Sequence, residues 1–348
     1  MSLTDLFQLI RTVRPAGISK IKTVHHDMIT YARGYIVPHV LSVFLNTGIM
    51  EDIKAERGID VEEYAARRGF NPEVFAPLCN YLYSVGLLNK DGAKLVLSEE
   101  GERLADLSVG VFDFLHAYSP IFQNLEPLLK NEKVYGRDLD RHTDYVAKAS
   151  TEITRYLPFP AAKRLLEKHR YRRVLDLGCG NGAFLFYVTS VIDNGIGVDL
   201  AREAIASAQR RAAEAGLQGR LQFRVGDIFE LEKLAGDASR PIEMISLMFV
   251  LHEFLYRGEE RALALLRGIH RAFPRSDLLV CELSECSPEE LRRKKTAICE
   301  HHLFHRLSLQ GYATTEQWRK IFAQSGYRVK DEVSYGFAEQ GYFVLQPS

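Results

Sequence analysis

The chain lacks any apolar run approaching the ~20 residues of a membrane-crossing helix, which excludes a helical membrane protein. It also lacks a charge surplus. Its 45 Lys and Arg are balanced by 45 Asp and Glu, so nothing in the composition favours a polyanion, and no nucleic-acid partner is expected. Cysteine is scarce: five residues, odd in number and without a Cys-x-x-Cys, as suits a reducing cytosol and a cytoplasmic protein. Cys281 lies inside an apolar run, so it and Cys286 read as buried thiols rather than zinc ligands. Internal repeats and low-complexity stretches are absent. Met1 to Arg14 mixes acids and amides with its Leu and Ile, unlike a secretory signal. One basic run, Arg292-Arg293-Lys294-Lys295, shares a helical pattern with Glu289 and Glu290 and reads as a solvated face.

What is present is organised around residues 174–185, Val-Leu-Asp-Leu-Gly-Cys-Gly-Asn-Gly-Ala-Phe-Leu. Val174, Leu175 and Leu177 predict a buried parallel strand. Gly178, Gly180 and Gly182 then permit a tight turn and close approach of the backbone to a ligand. A helix is expected over 183–192. Gly195 to Asp199 predicts a second buried strand ending in a carboxylate, at the spacing where a ribose diol is held. Leu221 to Val225 predicts a third strand, closing on Gly226-Asp227-Ile228, and Ile242 to Phe249 a fourth. An amphipathic helix (259–273), a fifth strand (277–283), helices over 288–309 and 315–325, and two final antiparallel strands (327–333 and 341–345) complete an α/β domain.

Asp-x-Gly-x-Gly-x-Gly followed by these acids resembles the class I S-adenosylmethionine (SAM) methyltransferases over about residues 150–348. The resemblance implies a Rossmann-like sheet with SAM as cofactor. Asp176 and Gly178, Cys179 and Gly180 would line its methionine part, Asp199 the ribose, and Asp227 with Ile228 the adenine, with Leu200 and Phe249 also at the cofactor.

The N-terminal part reads differently. Helical spacing runs over 18–46, with Pro38 expected to open a second helix that Gly48 ends. Helices at 61–67 and 73–85 lead to a hairpin, 87–90 and 94–97, turning on Asp91-Gly92. Helix, helix, hairpin is a winged-helix order. Residues 72–85 contain no Arg or Lys, so a DNA reader is disfavoured. The layout resembles plant-type O-methyltransferases and implies a dimerisation and lid domain over 1–140, a catalytic domain over 141–348, and further helices over 108–160 roofing the site. The apolar stretch Ile36 to Leu45 predicts a homodimer.

The acceptor site is expected beyond the fourth strand, at Leu251-His252-Glu253-Phe254. Imidazole accepts a proton near neutral pH, so His252 is a candidate base. A second cluster, Glu300-His301-His302-Leu303-Phe304-His305, puts His301 and His305 on one helix face at metal-ligand spacing. Val134-Tyr135-Gly136-Arg137-Asp138, Leu251 to Phe254, and His305 thirteen residues before Trp318 resemble motifs of the α-keto acid β-C-methyltransferases, the group acting on phenylpyruvate, keto-leucine and 2-ketoarginine. That resemblance implies a metal ion, iron or zinc, held by His252 and His305. It also implies an α-keto acid substrate faced by Arg137, and Glu253 as one candidate for taking the proton. Two other readings stand beside it: a metal-free O-methyltransferase with His252 as base, and a SAM-binding winged-helix regulator.

Overall fold

The computed structural model describes residues 3–13, 20–21, 23–107, 109–231, 241–294 and 296–348. Positions 18, 19 and 22 of the expected first helical stretch, Lys295 of the basic run and position 108 lie outside them. The chain forms two compact units, Met1–Ala117 and Tyr118–Ser348. Residues 118–140, expected with the N-terminal domain, fall in the second unit.

In the first unit the helix Ile29–Asn46 runs unbroken through Pro38, which does not open a new helix. It ends at Thr47, and Gly48 (φ 75°) turns the chain into Ile49–Ala55. Val40, Leu41, Phe44 and Leu45 are buried with Met50, Tyr64, Phe75 and Leu82. Tyr35, Ile36 and Val43 are left exposed. The apolar surplus read from the sequence is therefore real, but it resides on a different set of residues from the core-facing Val40 and Phe44. Asp60 and Asn71 cap Val61–Arg68 and Pro72–Ser84 through their side chains. The hairpin of β1 (Leu88–Asp91) and β2 (Lys94–Leu97) follows, with Gly92 at φ 60°.

The second unit is built on seven strands. They are β3 (Arg173–Leu177), β4 (Asn194–Asp199), β5 (Leu221–Val225), β6 (Met244–Met248), β7 (Asp277–Leu283), β8 (Tyr327–Tyr335) and β9 (Gln340–Pro347). The sheet order is β5-β4-β3-β6-β7-β9-β8. β3 to β7 are parallel, and β9 pairs antiparallel to both β7 and β8. The chain leaves β3 in one direction to build β4 and β5, then returns to its other side for β6. This reversal opens a crevice at the carboxyl ends of the strands, where ligands bind in such sheets.

The period of two along each strand divides the apolar residues between two cores. Leu175, Leu177, Ile245, Leu247, Leu278, Val280 and Phe343 pack on one face with Trp318, Ile321 and Phe322. Val174, Met244, Leu279, Cys281, Tyr342 and Val344 pack on the other with Leu165, Phe184 and Phe223. The first crossover helix is short (Ala183–Tyr187). The single helix expected over 288–309 is two, Pro288–Arg293 and Ile298–Leu307. The first is closed off by Lys294, whose backbone is extended and whose Nζ bonds the Gly336 carbonyl in the β8–β9 turn.

Trp318 is completely buried, and its indole N–H donates to the Leu283 carbonyl at 3.1 Å. Trp318→Ala is expected to cost about 3–5 kcal/mol, by denaturant unfolding, through lost burial and the cavity left behind. A loss below ~1 kcal/mol would show that this helix does not depend on the indole for its docking.

Candidate active site

The glycine loop follows β3 directly. Gly178, Gly180 and Gly182 have φ of 76°, 52° and 75°, the left-handed region that side chains avoid. A Cβ on Gly178 would stand 2.8 Å from Val250, and one on Gly182 would stand 2.3 Å from the Phe223 ring. A Cβ on Gly180 would meet nothing within 4 Å, so the loop's middle faces open space. Asp199, at the end of β4, accepts from the N–H groups of Gly180 and Ala201, each at 2.8 Å. Asp227 accepts from the Phe229 N–H at 2.9 Å. Asp176 is buried beneath the loop and accepts from Ser246 Oγ at 2.6 Å. Burial pushes its carboxyl up to about 7, the Asp199 charge adding to the effect and the Ser246 bond opposing it. A bare glycine cradle with carboxylates at the ends of the neighbouring strands fits a cofactor bearing a ribose and a cationic centre.

The histidine turn starts at Phe249, a non-glycine residue at φ 59° just past the end of β6. Its N–H still bonds the Cys281 carbonyl, after which the chain bends into a short 3-10 turn, Leu251–Phe254. That turn hangs on Glu282 of β7, which is fully buried. Glu282 Oε1 accepts from the N–H of Leu251 (2.6 Å) and His252 (3.3 Å), and Oε2 bonds His252 Nδ1 at 3.0 Å. Burial disfavours a charged His252, yet the Glu282 carboxylate, helped by Glu253, raises it above the ordinary imidazole value.

The ring of His305 lies 5.0 Å from that of His252, and the ring of His301 lies 4.0 Å from His305. Both His301 Nδ1 (3.1 Å) and His305 Nδ1 bond the Tyr312 hydroxyl, and His302 stacks on the Tyr312 ring at 4.1 Å. Burial holds these three imidazoles neutral, with His301 pushed down to about 3 and His302 to about 4, and His305 well below its ordinary value. Glu253 Oε1 sits 3.9 Å from His252 Nε2 and accepts from Arg141 (3.2 Å) and from Gln310 Nε2. Among the described residues, no group of three or more His, Cys, Asp or Glu is arranged to hold a metal ion.

Comparison with known proteins agrees with this geometry. Residues 168–326 match a family model described as a methyltransferase domain. The chain is 24% identical to methyltransferase ungE' of Aspergillus campestris over 295 residues, 81% of this chain and 85% of that one. The chain is a SAM-dependent methyltransferase.

Its fold is that of the class I enzymes. The mitomycin 7-O-methyltransferase MmcR superposes with a TM-score of 0.65 at 15% identity, covering 96% of this chain and 99% of that one. The pyocyanin biosynthetic protein PhzM gives 0.59 at 18%, covering 94% and 99%. The O-methyltransferase NcsB1 from neocarzinostatin biosynthesis, in complex with S-adenosyl-L-homocysteine and 1,4-dihydroxy-2-naphthoic acid, gives 0.59 at 19%, covering 90% and 96%.

Of the residues expected from the methyltransferase sequence, Gly178, Cys179, Gly180, Asp199, Asp227 and Ile228 lie on or beside the loop ends of β3, β4 and β5. Leu200 follows Asp199 and is exposed. His252, Glu253 and His305 come together. Arg137 does not join them: its side chain is 68% exposed and pairs with Asp138. The arginine at the histidines is Arg141, 15% exposed. Sequence reasoning also missed Glu282, Tyr312 and Gln310. A lone acid inside the apolar run Leu278-Leu279-Val280-Cys281-Glu282-Leu283 was the available signal for the first; none marked the others. No helix among the described residues is long and apolar enough to cross a membrane.

Asp199→Ala is expected to weaken SAM binding at least ~tenfold by calorimetry, a charge-assisted hydrogen bond contributing roughly 1.5–3 kcal/mol. Unchanged affinity would remove Asp199 from the cofactor site.

Proposed function

We propose that this methyltransferase transfers the SAM methyl group to an oxygen of a small natural product, with His252 as general base. The observation that carries the reading is the buried His252–Glu282 pair at the carboxyl edge of β6. With Nδ1 committed to the carboxylate, Nε2 is the nitrogen available to an acceptor hydroxyl. Glu282 fixes the tautomer and stabilises the imidazolium that forms, as carboxylates do behind catalytic histidines. Asp199 and the glycine loop orient the cofactor, which supplies an electrophilic methyl when bound. Several fold relatives are named as O-methyltransferases of natural-product pathways, which supports the same reading.

A second reading, C-methylation at the β-carbon of an α-keto acid, is favoured by one observation: His305 stands beside His252, with both Nδ1 atoms tied back. The two imidazoles would then hold a metal ion, whose Lewis acidity stabilises an enolate. They supply two protein ligands, and Arg137, the expected partner of the keto acid, is not with them. The oxygen acceptor is therefore the better supported of the two.

The readings part on mutation. For an oxygen acceptor, His252→Ala should lower kcat by ~10²-fold or more, the usual contribution of a positioned base. SAM binding should persist, and His305→Ala should keep activity within ~tenfold. Equal losses in both variants, a double variant no worse than either, and loss of stoichiometric metal would move the assignment to the keto acid.

We also infer a homodimer formed through the first unit, read as a winged-helix-like dimerisation domain. Tyr35, Ile36 and Val43 are exposed on a helix whose opposite face is buried, and such a face is usually covered by a partner. Ile36→Asp with Val43→Asp should give folded monomer in light scattering. A wild-type monomer at micromolar concentration would overturn the inference.

A further inference from the structure

Arg141 is a largely buried cation, 15% exposed, with incomplete company. Its Nη1 donates to the Tyr118 hydroxyl at 3.0 Å and its Nη2 to Glu253 Oε1 at 3.2 Å, while Nε is buried without a hydrogen-bond partner. A guanidinium normally meets a carboxylate through two parallel bonds of ~2.7–2.9 Å. Here the carboxylate offers one oxygen at a longer distance. Gln310, 1% exposed, donates its Nε2 to the same Glu253 oxygen and leaves its own Oε1 buried and unpartnered. Glu253 itself is 43% exposed, so a half-solvated carboxylate rests on two buried donors. Beside them lies a flat apolar wall: Tyr118 stacks on Phe304 (4.7 Å, 16°), and Phe122 meets Phe304 edge-on at 5.6 Å.

Burying a guanidinium is costly unless a counter-charge and hydrogen bonds compensate it. The compensation seen is partial and comes from a group that water can also reach. We propose that Glu253 is an internal stand-in for a carboxylate of the acceptor, which takes its place on Arg141 and Gln310. The acceptor is then a small organic carboxylate with a planar apolar body. Because Glu253 Oε1 lies 3.9 Å from His252 Nε2, the carboxylate sits next to the carbon bearing the reacting hydroxyl, as in an ortho-hydroxy aromatic acid. This assignment deepens the reading of an acceptor handled at His252 and rests on it. It makes Arg141 and Gln310 specificity-determining residues and gives Arg137 no part.

The test is calorimetric binding to the enzyme saturated with S-adenosyl-L-homocysteine, at low salt, with salicylate and 1-hydroxy-2-naphthoate as carboxylates and salicylamide as the neutral control. At least one carboxylate should bind ~tenfold or more tightly than salicylamide, and Arg141→Lys should lose about that preference, because an ammonium does not reproduce the fork. Glu253→Gln, which is isosteric, removes the competing charge and should tighten carboxylate binding about fivefold. Equal binding of carboxylates and salicylamide, or Glu253→Gln binding carboxylates no better than wild type, would overturn the proposal. Affinity for S-adenosyl-L-homocysteine, measured in each variant, reports an intact fold and donor site. Failure of the catalytic reading is read separately, as turnover that survives His252→Ala.

Discussion

The buried carboxylate of Glu282 is the interaction on which the histidine turn after β6, the proposed acceptor site, depends. A carboxylate with no exposure to water is unstable unless its oxygens are occupied by donors. Here the donors are two backbone N–H groups and one imidazole nitrogen, all from the turn after β6. The turn is thereby fixed in height, direction and tautomer by a residue of the neighbouring strand. The left-handed Phe249 is part of the same arrangement, since such strain persists only where the surroundings over-determine it. The His252 carbonyl in turn accepts from the Gly311 N–H, which joins the histidine turn to the loop carrying Gln310 and Tyr312. Gly311 is required there, because a Cβ would stand 2.4 Å from that of Leu255.

The sheet converts this local order into a shared site. Parallel pairing in the register Asp176↔Gly197 and Asp176↔Ser246 brings the ends of β3, β4 and β6 to one edge. Two cores, one on each face, hold that edge rigid while the glycine loop provides the open space. The glycine loop with its carboxylates and the histidine turn thus come from different strands of one sheet edge.

How much of this was legible follows from the range of each signal. Strands, glycine loop and hairpin were readable because period-two burial and positive φ are local properties, and they match the observed elements to within a residue or two. Pro38 misled because a proline inside a helix costs an N–H bond that the rest of the helix can absorb when its burial is large. The helix over 288–309 divides at Lys294, whose backbone is extended and whose side chain bonds a carbonyl in the distant β8–β9 turn, a contact that no local pattern encodes. Arg137 and Arg141 are both arginines on one irregular segment. Which one turns inward is decided by Tyr118 and Glu253, residues far away in sequence.

The four imidazoles at the site are chemically unequal, and that inequality bears on mechanism. His252 has a buried carboxylate for a partner and is raised; His301, His302 and His305 are lowered chiefly by burial, with the positive charges of Arg306 at His302 and Arg141 at His305 adding to it. Where environments push neighbouring titratable groups apart, roles divide accordingly. The raised group is suited to take a proton and carry the charge, because its counter-ion is already in place. The lowered ones remain neutral, able to accept a hydrogen bond or pack without introducing a competing positive charge. A positive charge on His305 would sit beside the imidazolium formed at His252 and oppose it, so keeping His305 neutral favours proton uptake at His252. Burial does this work, and the Tyr312 hydroxyl, which bonds the Nδ1 atoms of His301 and His305, is a neutral partner that adds no negative charge to draw protons onto them.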